Sequence, residues 1–217
     1  MLDFATSRQH MVNSQIRTND VTDLPIIRAF KAIPRERFVP SAQQALTYSD
    51  VHIECGDGRY LLRPRDFSKM VQCADVKPSD VVLNIASCRG YTSAILASLS
   101  ETVVGLEDSD DSVELATNIM TDIGINNAVF VKGDLKSGAR EHGPFDLIFV
   151  NGAVTSVPQT WFDQLANNGR LVAIIQKGPV GHCSVFTRSG DSVGERVEFD
   201  ASVPVLPGFE AKEEFVF

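Results

Sequence analysis

Two acids stand where apolar, strand-like runs end: Glu107 closes "TVVGLE" and Asp134 closes "AVFVKGD". A carboxylate in the first position can accept hydrogen bonds from both hydroxyls of a ribose. One strand further on, a second acid can accept from an adenine amino group. Ahead of both lies "VVLNIASCRGY", residues 81–91, an apolar run that passes into a helix through a short turn. Glycines in such a turn let backbone amides approach a ligand, where a Cβ would obstruct. This turn holds one glycine, Gly90, preceded by Ala86, Ser87, Cys88 and Arg89. A fourth tip, "NGA" from Asn151, ends another apolar run.

Acid-rich tips without a phosphate-gripping lysine suit an adenosine that carries no polyphosphate. S-adenosylmethionine, whose sulfonium is positive, fits such a pocket. Each acid also has a purely structural reading, since acids after strands often cap the next helix, and "EDSDDS" would serve for that.

The elements that must position these residues follow from the hydrophobic pattern. From about residue 80, "VVLNIA", "TVVGLE", "AVFVKGD" and "FDLIFVNGA" are four apolar runs that suit strands buried on both faces. Between them "GYTSAILASL" and "SVELATNIMTDIG" read as helices, the latter closed by Gly124, and "TWFDQLANNG" reads as a helix leading into "RLVAIIQKG". Such alternation predicts a mostly parallel sheet with helices on both faces. After Gly178 the helical period stops, and "HCSVFTRSGDS" with "RVEFDASVPVL" predicts an antiparallel pair. The first 79 residues are organised differently. "DLPIIRAFKAI" is a helix with Asp23 as cap, Pro25 in its first turn and Ile26, Ile27, Phe30 and Ile33 as its buried stripe. "RPRDFSKMVQCADV" is a second helix, and "HIECGDGRYLL" is a hairpin or loop turning at Gly56 and Gly58. Residues 1–79 are thus expected as an extension packed on a core of residues 80–217. In an open parallel sheet the ligand site lies outside the carboxyl ends of the strands, where strand order reverses.

Composition narrows the function classes. A chain of 217 residues buries a sizeable core. A net charge of −8 argues against a general nucleic-acid binder. No signal-peptide pattern opens the sequence and no apolar run reaches membrane-spanning length. Cysteines 55, 73, 88 and 183 show no CxxC pairing, and the four histidines are scattered. That pattern predicts reduced thiols in a cytoplasmic protein without a metal centre.

"MVNSQI", "AIPRERFVP", the "YSD" at Tyr48–Asp50, "RP" before a helix, "VLNIASCRGYTSAILA", "VVGLE", "GINNAVFVKGD", "FDLIFVNGA" and "LANNGRLV" occur in the order found in protein-L-isoaspartate O-methyltransferases. The resemblance spans about residues 10–175, and the ending "FDASVPVLPGFEAKEEFVF" resembles that of a bacterial branch of the family. It implies an α/β, three-layer Rossmann-like methyltransferase sheet, mostly parallel with an antiparallel C-terminal pair, plus an N-terminal helical extension shaping the acceptor side. It further implies transfer of a methyl group from S-adenosylmethionine to the carboxylate of an isoaspartyl protein or peptide, a repair reaction. The cofactor residues would be Asn84, Ala86, Ser87, Gly90, Tyr91, Glu107, Asp108, Gly133, Asp134 and Asn151. Tyr60, Leu62 and Arg63 would hold the acceptor-side positions.

The chain departs from that family at both halves of the site. Where the family resembles G-Q-T-I-S-Q-P, this chain reads Gly58, Arg59, Tyr60, Leu61, Leu62, Arg63, Pro64, so the hydroxyl donor position is Leu62. Loss of one well-aimed donor typically costs ~3–4 kcal/mol of transition-state stabilisation. Arg59, Arg63 and Arg65 would either bind a carboxylate in its place or form a solvated face. Where the family resembles E/D-I-G-x-G-x-G, this chain has Asn84, Ile85, Ala86, Ser87, Cys88, Arg89, Gly90. A Cβ at a position that needs positive φ costs ~1–2 kcal/mol. The sequence therefore leaves three readings open: a methyltransferase for isoaspartyl carboxylates, a non-catalytic module that binds S-adenosylmethionine or a partner, and a methyltransferase for a different anionic acceptor. Leu61 and Leu62, if exposed, would favour the second as an apolar docking patch. Oligomeric state is not readable from the sequence.

Overall fold

A computed structural model describes residues 3–211. The chain opens with α1 (Phe4–Met11), capped by Asp3, whose carboxylate accepts from the Thr6 amide at 3.1 Å. A wider turn over Val12–Ile16 continues it. Asp23 caps α2 (Leu24–Ala32) as its sequence predicts, accepting from the Ile26 amide at 3.0 Å, with Pro25 in the first turn. Ile26, Ile27 and Phe30 are buried along one face, and Ile33 closes the stripe just past the helix. The expected hairpin forms from β1 (Ile53–Gly56) and β2 (Arg59–Leu61), a small sheet of its own. It turns through Gly56, Asp57 and Gly58, all at positive φ. Helix α3 (Pro64–Cys73) follows, with Pro64 at its first position.

The core runs β3 (Val81–Ile85), α4 (Tyr91–Ala97), β4 (Thr102–Glu107), α5 (Asp110–Asp122), β5 (Ala128–Lys132), β6 (Phe145–Val154), α6 (Gln159–Phe162), β7 (Leu165–Lys177), β8 (Val180–Ser189) and β9 (Ser192–Ala201). The strands line up as β5-β4-β3-β6-β7-β8-β9. Pairings from β5 through β7 are parallel, and β8 and β9 close the sheet antiparallel. β4 and β6 flank β3 on opposite sides, so strand order reverses at the carboxyl end of β3, where this architecture places a ligand. The extension is fused to that point: the Tyr91 ring lies 5.4 to 6.4 Å from those of Phe30, Phe38 and Phe67.

Two elements differ from the sequence pattern. β5 is an edge strand rather than a doubly buried one, with Val129 49% exposed. The connection from β5 to β6 forms only a turn over Arg140–His142, so only α5, on one face, adds a long helix against this edge strand. The helix expected in "TWFDQLANNG" shrinks to the four residues of α6. Leu165 already pairs with Phe145 of β6, and Asn168 adopts a φ of +64°, which ends helical geometry there.

Beyond β9 the segment 203–209 returns across the sheet. Val205 bridges Ala153 in parallel, past Val150, the last β6 residue that β3 pairs with. The Ala153 amide donates to Pro204 O at 3.0 Å and its carbonyl accepts from the Leu206 amide at 2.8 Å. Phe209 packs on Trp161 with ring centres 5.5 Å apart. This strap continues the line of β3 over the carboxyl ends of the strands. Residues 212–217, the end of "FDASVPVLPGFEAKEEFVF", lie outside the described residues. Among the described residues no helix is long and apolar enough to cross a membrane.

Candidate functional site

The turn from β3 into α4 keeps a glycine-like backbone without the glycines. Ala86 has φ +57°, Cys88 +56° and Gly90 +93°. Two side-chain-bearing residues thus stand in the left-handed region, each at a cost of ~1–2 kcal/mol. Gly90 has no alternative, since a Cβ there would meet Met120 Cε at 3.1 Å and Phe130 Cζ at 3.2 Å as well. The turn is held from below. Asn84 is fully buried, accepting from Ser93 Oγ at 2.8 Å and donating to Phe149 O at 3.2 Å. The Ser87 amide donates to Leu106 O at 3.3 Å. Ser87 Oγ lies over Gly105 without a hydrogen-bond partner. Tyr91 faces the aromatic cluster under the Arg35 guanidinium, and burial pushes its hydroxyl up to about 12.

Glu107 sits at the end of β4 with no exposed surface. Its Oε1 accepts from the Cys88 amide, which ties it to the turn. Its Oε2 has no hydrogen-bond partner. Facing that atom, at 3.5 Å, is Nη2 of Arg59 from the hairpin, which also donates to Asp108 Oδ2 at 2.8 Å. The Arg59 side chain is only 8% exposed. Burial raises the Glu107 carboxyl above its ordinary range, against the opposing pull of Arg59 and the Cys88 amide.

Further along the tips, Gly133 donates its amide to Glu107 O at 2.8 Å. Asp134 is exposed and accepts from Ser137 Oγ at 2.6 Å and the Ser137 amide at 3.0 Å, which lowers its pKa. A cavity of about 220 Å³ opens between Asp108, Asp134, Leu135 and the strap residues Pro207 and Phe209. Asn151 joins the two halves of the site. Its amide donates to Ala86 O at 3.1 Å and to Tyr60 O at 3.3 Å, while its oxygen accepts from Thr92 Oγ1 at 2.6 Å.

On the acceptor side the side chains are turned inward. Leu61 and Leu62 are 3% and 2% exposed, so they present no docking patch. Fully buried Arg35 donates to Leu62 O at 3.0 Å and to Thr47 O at 2.8 Å, bracing the segment from behind. Arg63 and Arg65 both pair with the fully buried Asp66, at 2.7 and 2.6 Å. The arginines are therefore neither a solvated face nor a free carboxylate clamp. Tyr60 is half-buried, and its carbonyl is held by Asn151.

The structure thus gathers Ala86, Ser87, Gly90, Glu107, Asp108, Gly133, Asp134 and Asn151 around one set of strand tips, and places Asn84 and Tyr91 beneath them. The sequence pattern did not single out Arg35, Arg59's contact with Glu107, or the strap. Arg35 and Arg59 carried a signal, as arginines in "AIPRERFVP" and beside a glycine turn, but their partners are remote in sequence. An adenosyl group fits this set of groups: a buried carboxylate whose Oε2 accepts no hydrogen bond and meets only the Arg59 ion pair, beside a left-handed turn, at the switch point of a parallel sheet.

The model of the protein-L-isoaspartate(D-aspartate) O-methyltransferase family matches residues 6–205. The protein-L-isoaspartate O-methyltransferase of a Synechococcus species is 33% identical over 176 residues, 81% of this chain and 72% of that protein. The enzyme of the same name from Petrotoga mobilis is 31% identical over 207 residues, 95% of this chain and 97% of that protein. Among solved structures, a protein-L-isoaspartate O-methyltransferase superposes with a TM-score of 0.80 at 26% identity, covering 93% of this chain and 66% of that one. A Plasmodium falciparum structure described as a putative member, in complex with S-adenosyl-L-homocysteine, gives 0.77 at 17% identity, covering 95% and 99%.

Proposed function

The chain belongs to the protein-L-isoaspartate O-methyltransferase family, and from that premise we propose that it transfers a methyl group from S-adenosylmethionine to the carboxylate of an isoaspartyl protein or peptide. The observation that carries this reading is Glu107: a buried carboxylate with an unpartnered Oε2, tied to a left-handed turn at the point where strand order reverses. When bound, S-adenosylmethionine supplies the methyl group, activated by its sulfonium. The chain's own residues do the rest. Glu107 accepts from the ribose hydroxyls, Asp108 and Asp134 line the adenine end, and residues 84–91 with Gly133 and Asn151 shape the methionine side.

The acceptor carboxyl, with an ordinary pKa of about 4, is already ionised at neutral pH, so no protein base is required. What the chain must supply is position and the exclusion of competing water. In this reading Tyr60, Leu62 and Arg63 flank the acceptor. Leu62 offers no donor, and Arg63 is held by Asp66, so the hairpin contributes closure and the reaction is slow. The buried Leu61 and Leu62 and the internally paired arginines give no support to a docking module or to recognition of another anion. Four free cysteines support a reducing, cytoplasmic setting. Incubation with methyl-labelled S-adenosylmethionine and an isoaspartyl peptide tests the proposal. Base-labile methyl ester above background, lost in Glu107→Ala, is expected. Absence of ester from protein that demonstrably binds S-adenosylhomocysteine would reject transfer.

A further inference from the structure

The unpartnered lone pair of Glu107 does not open onto solvent; it opens onto Arg59. Three observations converge on that contact. The Arg59 guanidinium covers Oε2 at 3.5 Å while anchored to Asp108 at 2.8 Å, and it leaves Glu107 with no accessible surface. Its own Nη1 is buried without a hydrogen-bond partner, so the guanidinium is held by its Nη2 bond to Asp108 and by confinement. The strap then fixes the hairpin that carries it. A Cβ at Gly58 would lie 2.6 Å from Pro207 Cγ, which places the proline ring directly on the hairpin turn. One open volume along these tips lies between Asp108 and Asp134, to the adenine side of Glu107.

We propose that Arg59 is an internal competitor for the ribose-binding carboxylate, so that a cofactor's ribose reaches Glu107 only by displacing this guanidinium. A diol and a guanidinium would both have to sit against Oε2, and the guanidinium already covers it at 3.5 Å with Glu107 left no exposed surface. Arg59 therefore sets cofactor affinity by occupying the site, as a ligand supplied by the chain. Displacement has a partner ready: Asp108 is more than half exposed, at 58%, so the guanidinium can follow it outward without losing its ion pair. Hairpin and cofactor occupancy are then coupled, since Arg59 lies on β2 next to Tyr60, whose carbonyl Asn151 holds. The inference rests on the cofactor reading given above.

The test is isothermal titration of S-adenosylhomocysteine into the full chain and into Arg59→Ala and Arg59→Gln. The glutamine keeps most of the stem and an amide for Asp108, so it guards against a variant that merely misfolds, and circular dichroism checks both. At least tenfold tighter binding in either folded variant is expected, with the gain abolished when Glu107→Gln is added. Binding to the parent chain that is unchanged or weakened in both variants overturns the competition alone. No heat at millimolar ligand in the parent or any variant overturns the cofactor reading and the competition together.

Discussion

The β3–α4 turn and the β1–β2 hairpin meet through Asn151, and both differ from the motifs that the family resemblance implies. They have responded differently. In the turn, Ala86 and Cys88 stand where glycines would be easy, yet the backbone still adopts φ near +57° at both. The shape is held by Glu107 and Leu106 of β4, which accept from the Cys88 and Ser87 amides, and by Asn84 of β3, which braces β3 against Phe149 and α4. In the hairpin segment the implied contribution to chemistry rests on a side-chain hydroxyl, and Leu62 at that position offers none. The leucine then joins the core, and the arginines beside it pair inward. A function carried by backbone geometry tolerates substitution, at a cost in strain; one carried by a side-chain donor does not.

Four substitutions break or sharpen that contrast. The largest effect is expected at Asp66. Asp66→Ala strands Arg63 and Arg65, and removing one partner of a buried ion pair typically costs ~3–5 kcal/mol. Urea denaturation reads this, and a loss below ~1 kcal/mol would mean the arginines are not held internally. Next comes Leu62→Ser, which puts back a hydroxyl where the core now holds a leucine. Stability should fall by ~2–4 kcal/mol, the range for emptying a buried leucine site, with no gain in ester formation. A rise in transfer rate without loss of stability would show that the hairpin still aims at the acceptor.

Smaller and opposite in sign is Ala86→Gly. Relief of the left-handed Cβ, less the extra entropy of glycine in the unfolded chain, should stabilise by about 0.5–1 kcal/mol. A lower melting temperature would mean that the turn is not strained. The smallest effect is a pH slope at Glu107. Burial raises its folded pKa above the ordinary 4.5. Just above 4.5 the unfolded carboxyl has lost its proton and the folded one keeps it, so the unfolded state binds fewer protons and stability falls as pH rises through that window. Glu107→Gln should flatten this slope in urea midpoints taken at successive pH values; an unchanged slope would assign it to another group.

Much of the scaffold could be read from local pattern. Asp23 with Pro25 marks a helix start because capping and a fixed φ act within one turn, and the turn at Gly56 and Gly58 is equally local. The alternation from residue 80 onward specified the parallel sheet, and Glu107 and Asp134 were placed at strand tips by where those runs end. What escaped depends on pairing across distance. β5 has the composition of a buried strand, and only the strand order and the short connection to β6 leave it an edge with one face open. The strap's bond to Ala153 joins segments some fifty residues apart by their numbering. Arg59 could be seen as a cation in a glycine turn, but its partner Glu107 is brought to it only by the folded sheet.

The central claim, that the turn retains a cofactor site which Arg59 closes, is tested most directly by a crystal structure with S-adenosylhomocysteine. The account predicts ribose hydroxyls on Glu107, Arg59 swung outward with Asp108, and Ala86, Cys88 and Gly90 unchanged in φ. Ligand bound elsewhere, with the Arg59–Glu107 contact intact, would contradict it.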